Sequence, residues 1–297
     1  MTEKQKENKI RDLLIELGIC SNESIISYFE KVRDRDDVSV LKCTKSGVIF
    51  LSRSDHMDIS HYLEKDNFIY WDVQDRKAAV TAGLEDTQRR YEQLKIIISN
   101  KRWIDIGTGL GGILDLLSPL TFETAAIEPQ EAARKCLTDL GYCVYQSIED
   151  AKDEYYEIVT LFHVLEHFTN PLDTLISIKN KMKKGATIFI EIPHARDFLI
   201  SFLENDAFKS FTFWSEHLIL HTRESINILL QKAGFSNILI KGYQRYPLAN
   251  HLYWISKGKP GGHIHWADLR TNALDMEYSN MLSSIDKTDT LIITAQK

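Results

Sequence analysis

Residues 103 to 117 read W-I-D-I-G-T-G-L-G-G-I-L-D-L-L, an apolar run followed by glycines and an amphipathic continuation. The apolar run, Trp103 to Ile106, predicts a buried parallel strand. The turn after it contains the glycines Gly107, Gly109, Gly111 and Gly112. Glycine lets a backbone approach a ligand closely, and the first turn of a helix has unpaired N–H groups. A strand that enters a glycine turn and then a helix therefore indicates a nucleotide-binding element.

The acid inside this strand, Asp105, bears on which nucleotide binds. The glycine spacing also satisfies the dinucleotide-binding pattern, so spacing alone leaves an NAD site open. A carboxylate at the strand end repels a pyrophosphate and favours a cationic ligand end. The stretch resembles motif I of the class I S-adenosylmethionine (SAM)-dependent methyltransferases, D-x-G-x-G-x-G. This resemblance implies a Rossmann-like α/β fold with a mostly parallel sheet and an antiparallel last strand. It also implies SAM as cofactor, bound by Asp105, Gly107, Thr108, Gly109 and Gly111.

A second acid, Glu128, follows the next predicted strand, twenty-one residues after Gly107. An acid at this place accepts the ribose hydroxyls of an adenosine in both NAD and SAM sites. The resemblance extends the cofactor site to Pro129 and to the loop after the third strand. In that loop Ile148 is expected to pack on the adenine and Glu149 or Asp150 to lie near its amino group. The alternative for Glu149 is a surface acidic turn.

The predicted strand Tyr156–Phe162 runs into H-V-L-E-H, residues 163 to 167. This motif resembles a signature of a branch of class I methyltransferases that includes sugar and surface-polysaccharide methyltransferases. Ligands of open α/β sheets bind beyond the carboxyl ends of the strands, which places Phe162 and His163 beside the methyl donor. A structural role for His167 stays open. The H-x-x-x-H spacing could also bind a metal, but no third ligand is evident, and we expect none.

A segment between about residues 196 and 222 is interpreted as a substrate-binding insertion. Its W-S-E-H run contains Trp214, Glu216 and His217, which match an aromatic-x-E-H segment that supplies the general base in similar sugar methyltransferases. We therefore expect His217 to be the base, with Glu216 positioning it, because a histidine accepts a proton near neutral pH. The other catalytic candidates are His163 and His194.

The domain plan places an N-terminal helix and a small strand and lid region in residues 1–85, before a SAM-binding domain in residues 86–297. Aromatic residues 61–71 are interpreted as a substrate-side cap or as core. Residues 245–270 read as a substrate-contacting loop. The strand Thr290–Ala295 is expected to form an antiparallel edge. Two arginines before the glycine strand, Arg89 and Arg90, are candidates for the SAM carboxylate.

The composition suits one α/β domain with an addition, at 297 residues and 43% hydrophobic content. A net charge of −6 and a pI of about 5.9 argue against nucleic acid as partner. Four cysteines without a C-x-x-C pair argue against a disulfide framework. The turn at Cys43 resembles a zinc knuckle in which Ser46 replaces a ligand, so we expect no zinc there. Neither a signal peptide nor a membrane span is expected, and a cytoplasmic location fits.

These observations predict a SAM-dependent O-methyltransferase for a sugar, nucleotide sugar or related capsule or O-antigen precursor. The chain is too short to hold the second domain of sugar C-methyltransferases, which favours O- over C-methylation. Alternatives are C-methylation of a keto sugar, a non-catalytic SAM-binding partner of another enzyme and an NAD-dependent oxidoreductase. A homodimer is left open.

Overall fold

The structure, a computed structural model, describes residues 8–57 and 75–297. Its strands are β1 (Ile25–Phe29), β2 (Val40–Cys43), β3 (Ile49–Leu51), β4 (Arg102–Ile106), β5 (Glu123–Ile127), β6 (Cys143–Tyr145), β7 (Tyr156–Phe162), β8 (Met182–Pro193), β9 (Ile219–Leu220), β10 (Ser236–Tyr243) and β11 (Thr290–Gln296). Its α-helices are α1 (Lys9–Glu16), α2 (Arg76–Ala82), α3 (Leu84–Ile98), α4 (Gly112–Leu117), α5 (Glu131–Asp139), α6 (Pro171–Lys181), α7 (Phe198–Ser201), α8 (Asp206–Thr212), α9 (Arg223–Lys232), α10 (Leu248–Lys257), α11 (Gly262–His265) and α12 (Asn272–Ser284). The cap or lid expected at residues 61–71 lies outside the described residues.

A seven-stranded sheet has the order β10-β11-β8-β7-β4-β5-β6. The pairs β4/β5, β4/β7, β5/β6 and β7/β8 are parallel, and β11 is antiparallel to β8 and β10. The expected α/β fold with an antiparallel last strand is confirmed. The expectation that this strand forms an edge is wrong, because β11 lies between two strands. Leu291, Ile293 and Ala295 are buried, whereas β10, the actual edge, leaves Leu239 52% exposed.

Helices cover both faces of this sheet, as a mostly parallel sheet requires. On one face, α3 and α4 pack on β4 in a core that includes Leu94, Ile98, Trp103, Leu114 and Leu117. On the other face, α6 and α9 pack on β7, β8 and β11 in a core that includes Leu175, Ile178, Ile226, Leu229 and Ile293. Because helices cover both faces, a ligand can bind beyond the carboxyl ends of the parallel strands.

A second, antiparallel sheet has the order β1-β2-β3-β9. Its fourth strand comes from the predicted insertion and pairs Ile219 with Phe50 and Leu220 with Ile49. The core under this sheet combines N-terminal and inserted residues, namely Ile10, Leu14, Val38, Val40, Phe50, Phe213, Leu218 and Ile219. The W-S-E-H segment is therefore attached to the N-terminal sheet.

Residues 245–270, expected as a loop, are mainly helical. Helix α10 begins after Pro247 and buries Ala249, Tyr253 and Trp254, which recur at helical spacing, and it ends at Gly258. Burial of this apolar stripe explains why the segment folds as a helix. Among the described residues no helix is both long and apolar enough to cross a membrane.

The predicted turn at Cys43 is present, and its thiol is fully buried. Ser24 Oγ lies 3.3 Å from Cys43 Sγ, and the backbone N–H of Ser46 donates to this sulfur at 3.5 Å. Cys43 thus behaves as a small buried residue held by hydrogen bonds.

Candidate functional site

The glycine turn lies between the end of β4 and the start of α4. Its first glycine, Gly107, has a φ of +70°, and its N–H donates to the carbonyl of Ile127 at 2.8 Å. A Cβ at Gly107 would lie 2.5 Å from Cγ2 of Val164, so only glycine fits against the H-V-L-E-H loop. Gly109 has a φ of +57°, and a Cβ there would meet no described atom within 4 Å. The turn is therefore packed at its first glycine and open at its second.

The carboxylate of Glu128 bridges the ends of two neighbouring strands. One oxygen, Oε2, accepts a hydrogen bond from the N–H of Gly109 at 2.8 Å, and Oε1 accepts one from Gln130 at 2.9 Å. The residue is only 6% exposed, and burial raises the pKa of its carboxyl to about 7. Each carboxylate oxygen has two acceptor sites, so both retain room for a ligand hydroxyl.

Asp105 is a residue of β4, 2% exposed, and is paired with Thr160 of the neighbouring strand β7. Its Oδ1 accepts a hydrogen bond from Thr160 Oγ1 at 2.5 Å, and Thr160 in turn accepts one from Trp103 Nε1 at 2.9 Å. Burial raises the pKa of Asp105 to about 6. Because the group is so buried, we infer that it affects a ligand at the strand ends through its electric field more than through direct contact.

His163 begins the H-V-L-E-H loop in a left-handed backbone conformation, with a φ of +57°. Its Nδ1 lies 3.3 Å from Glu166 Oε1, and its Nε2 lies 3.1 Å from Glu191 Oε1. Burial and the guanidinium of Arg245 act to lower the pKa of His163, but the two carboxylates outweigh them and raise it. Arg245 Nη1 also lies 3.1 Å from Nε2, so both ring nitrogens are engaged by charged neighbours.

Glu191, at the end of β8, is the centre of a buried ion network. Its side chain is fully buried and accepts hydrogen bonds from Arg89 Nη2 at 2.8 Å and from Arg90 Nη2 at 2.7 Å. His163 and Arg90 outweigh burial and hold the pKa of Glu191 well below its usual range. Asp86 extends the network by pairing with Arg89 and Arg245. The two arginines considered for the SAM carboxylate are thus engaged by Glu191 in this structure.

The W-S-E-H segment meets the H-V-L-E-H loop, although about fifty residues separate them in the chain. The backbone N–H of Leu218 donates to the carbonyl of Glu166 at 2.9 Å. Ser215 is fixed by Asp34, which accepts from its N–H at 2.9 Å and from its hydroxyl at 2.6 Å. The ring centroids of His167 and His217 consequently lie 5.0 Å apart.

His217 is half-buried at this junction. Burial, together with the neighbouring His167, His163 and Arg33, holds the pKa of His217 well below its ordinary value. The ring is therefore neutral near pH 7 and has a free lone pair for a proton or a metal. Glu216, expected to position His217, has its Oε2 4.0 Å from His167 Nδ1.

His194 follows β8 and is fully buried. Its Nδ1 lies 2.9 Å from the carbonyl oxygen of Thr288 and donates to it in the neutral tautomer that carries the hydrogen on Nδ1. Its Nε2 lies 3.9 Å from Asp286 Oδ1. Burial lowers the pKa of His194 to about 4. These contacts favour a structural role over a catalytic one.

The remaining predicted cofactor residues are dispersed along the strand ends. Thr108 donates its N–H to the carbonyl of Ile127 at 3.2 Å, and Phe162 lies under the Arg90 guanidinium at 4.5 Å. Pro129 precedes α5 and accepts a hydrogen bond from Arg134 at 2.9 Å. Ile148 packs partly buried on the core.

Glu149 is exposed, and its carbonyl accepts a hydrogen bond from Lys181 Nζ at 3.2 Å. It borders a depression shared with Asp153, Lys181 and Lys297. Its position therefore favours the surface acidic turn over the adenine contact.

A cavity of about 240 Å³ lies beyond the strand ends. It combines histidine, guanidinium, amide and aromatic groups, among them His163, His217, Arg245, Asn250, His251 and Trp254. Asn250, His251 and Trp254 were not predicted individually as site residues. The helical spacing of apolar residues in 245–270 could have indicated that a helix places them at the cavity. The cavity is smaller than the ~300–1,000 Å³ common for pockets of drug-sized ligands, so it suits a small acceptor.

Comparisons with known proteins identify the family of this chain. A family model described as "Methyltransferase domain" matches residues 80–240, more than half of the chain. A chain from the complex between the Haloferax volcanii Trm112 methyltransferase activator and a protein described as a methyltransferase is 12% identical. The match covers 78% of this chain and 98% of that one, with a TM-score of 0.51. At this identity the likeness supports the fold alone.

A SAM-dependent methyltransferase from Archaeoglobus fulgidus is 19% identical, with 75% of this chain and 95% of that one covered and a TM-score of 0.48. No curated protein matches the chain.

Proposed function

The chain belongs to the methyltransferase-domain family and is a SAM-dependent methyltransferase; from this premise we propose that it methylates a hydroxyl of a sugar, nucleotide sugar or related surface-glycan precursor. Family membership decides against the NAD-dependent oxidoreductase. The observation that carries the proposal is the cavity of about 240 Å³, which is lined by His217 together with aromatic and hydrogen-bonding side chains.

The residues at the strand ends fit SAM. The position of Gly109 leaves space beside the turn, and the carboxylate of Glu128 has acceptor capacity for ribose hydroxyls. The charge of Asp105 favours a cationic ligand end. When bound, SAM supplies an electrophilic methyl group on a positively charged sulfur. The chain must align the acceptor, exclude water and remove one proton.

His217 is the proposed base, because the three candidate histidines differ in their surroundings. His163 has a carboxylate beside each ring nitrogen and the Arg245 guanidinium 3.1 Å from Nε2, so neither nitrogen is free to accept a proton from an acceptor hydroxyl. His194 also borders the cavity, but its side chain is fully buried and its Nδ1 is held by the carbonyl of Thr288 at 2.9 Å. His217 lines the cavity with a neutral ring, which is the form that accepts a proton from a hydroxyl.

The cavity lining supports a hydroxyl-rich acceptor. Trp254, which is 2% exposed, contributes an apolar wall to the cavity. Asn250 and Arg245 offer polar groups that can bind hydroxyls or a phosphate. We infer that a single sugar ring occupies the cavity and that a nucleotide, where present, extends out of it.

Mass spectrometry tests the proposal by following methyl transfer from labelled SAM to a panel of nucleotide sugars, phosphorylated sugars and keto sugars. The expected result is a gain of one methyl group on an oxygen. Methyl gain on carbon would instead establish C-methylation, and gain only on non-carbohydrate acceptors would overturn the sugar assignment.

The base is tested with His217→Ala. Loss of a general base lowers turnover by roughly two to four orders of magnitude. SAM affinity, measured by calorimetry, should stay unchanged, and added imidazole should restore part of the turnover. The matched comparison is His194→Ala, for which imidazole should restore nothing. Undiminished turnover of His217→Ala would remove His217 from the mechanism.

A further inference from the structure

Two histidines and one carboxylate meet where the H-V-L-E-H loop contacts the W-S-E-H segment. Glu166, His167 and His217 each offer a ligand atom, and these atoms all lie within 4.8 Å of one another. The side chain of Glu166 is fully buried, and that of His167 is 10% exposed. His217 also lines the cavity of about 240 Å³, so an ion has an approach to the group.

The carboxylate of Glu166 provides a second, independent observation. Its Oε1 is shared with His163 Nδ1 at 3.3 Å, whereas the buried Oε2 has no hydrogen-bond partner within residues 8–57 and 75–297. A buried carboxylate oxygen without a partner carries a desolvation cost that a bound cation would remove. The unpartnered oxygen therefore indicates a ligand beside Glu166.

The backbone around these groups is held in place. The hydrogen bond from Leu218 N–H to the carbonyl of Glu166 joins the two motifs, and Asp34 fixes Ser215. In addition, His163 orients the Glu166 carboxylate, as an outer partner of a metal ligand does. Ligand atoms around a tetrahedral zinc ion lie roughly 3.4 Å apart, so side-chain movements of about 1 Å would close the site.

We propose that Glu166, His167 and His217 form a binding site for a divalent transition-metal ion. Two imidazoles and one carboxylate are a ligand set that suits zinc, iron(II) or cobalt(II). Magnesium and calcium prefer oxygen ligands and are disfavoured. A bound ion occupies a lone pair of His217, so metal binding and proton acceptance by this ring exclude each other. This last consequence rests on the proposed function, whereas metal binding itself does not.

Titration of the chelator-treated full chain with Co²⁺, followed by visible d–d absorption, tests the site. The expected result is one Co²⁺ per chain, displaced by Zn²⁺. His167→Gln and His217→Gln should each weaken Co²⁺ binding by at least about 100-fold, and His163→Gln by about 10–100-fold as an outer partner. His265→Gln, an exposed histidine outside the cluster, should leave Co²⁺ affinity unchanged.

Circular dichroism shows whether each variant is folded. Absence of a Co²⁺ band with folded wild-type chain, or unchanged affinity in a folded His167→Gln chain, would overturn the site. Anomalous scattering from a Co²⁺-soaked crystal gives a second measurement that needs no variant, since its peak must lie between the three side chains.

Turnover separates this inference from the proposed function. Zn²⁺ should lower methyl transfer by wild-type chain, and a chelator should restore it. If Zn²⁺ binds and turnover is unchanged, the inference that a bound ion prevents His217 from accepting a proton is wrong. Absence of methyl transfer in chelated chain would count against the proposed acceptor, while the Co²⁺ band would still decide the metal site.

Discussion

Replacing Gly107 with alanine should destabilise the fold much more than replacing Gly109. Both residues have a positive φ, which costs an L-residue about 1–2 kcal/mol. Only at Gly107 does the new Cβ meet a neighbour, Cγ2 of Val164 at 2.5 Å. Overpacking of this kind costs about 1–3 kcal/mol. We therefore expect losses in the free energy of unfolding of about 2–5 kcal/mol for Gly107→Ala and about 1–2 kcal/mol for Gly109→Ala.

Urea unfolding of the variants, followed by tryptophan fluorescence, measures these losses. The packing contribution is isolated by a double-mutant cycle with Val164→Ala, which removes the clashing methyl groups and leaves the backbone strain. The combined Gly107→Ala and Val164→Ala chain should be more stable than the sum of the single losses predicts, by about 1–3 kcal/mol. Equal losses at the two glycines, or a coupling energy near zero, would refute the steric argument.

Three further predictions concern the buried polar groups. Glu128→Gln should weaken SAM binding by about 10–150-fold, the equivalent of about 1.5–3 kcal/mol for hydrogen bonds to a charged group. Because the pKa of Glu128 is raised to about 7, calorimetry should show wild-type affinity for SAM falling as the pH drops below 7. The affinity of the variant should fall only nearer pH 6, where Asp105 takes up a proton. The pKa of His221 is lowered to about 3 by burial, so the unfolded chain takes up a proton below about pH 6.5 that the folded chain refuses. Chemical denaturation of wild type and of His221→Gln at pH 7 and pH 5 measures this effect. The difference in free energy of unfolding between the two chains should change by about 2 kcal/mol against wild type as the pH falls from 7 to 5. A difference that stays constant with pH would contradict a buried neutral His221 ring. Thr160→Val removes the hydroxyl and leaves two buried groups, Trp103 Nε1 and Asp105, without this partner, at a cost of about 1–3 kcal/mol of stability for each. Thr160→Ser keeps the hydroxyl and should cost less in the same denaturation assay. Equal losses for the two variants would contradict the role of the hydroxyl.

Local patterns were enough to predict the strands that lead into the candidate cofactor site. The predicted strand Tyr156–Phe162 has the bounds that the structure shows. The glycine turn after Trp103–Ile106 was equally predictable, because its signal is contained in consecutive residues. The position of β11 was not, because apolar alternation in Thr290–Ala295 does not reveal how many neighbours a strand has.

The site shows the same division between local and long-range information. The H-V-L-E-H and W-S-E-H motifs were visible in the chain, but their contact through Leu218 and Glu166 depends on a two-residue strand, β9, too short for any periodicity. The ion network at Glu191 was missed for a related reason. Its partners Arg89 and Arg90 lie about a hundred residues away, and such a pairing leaves no sequence spacing to recognise.

The pairing of β9 with β3 attaches the segment that contains the proposed base to the small sheet. His217 lies two residues before β9, whereas Glu128 and the glycine turn follow strands of the large sheet. The proposed base and the proposed donor-binding residues therefore belong to different sheets, which the hydrogen bond from Leu218 to Glu166 joins. A chain cut back to its Rossmann-like half would keep Glu128 and the glycine turn and lose His217, the proposed base.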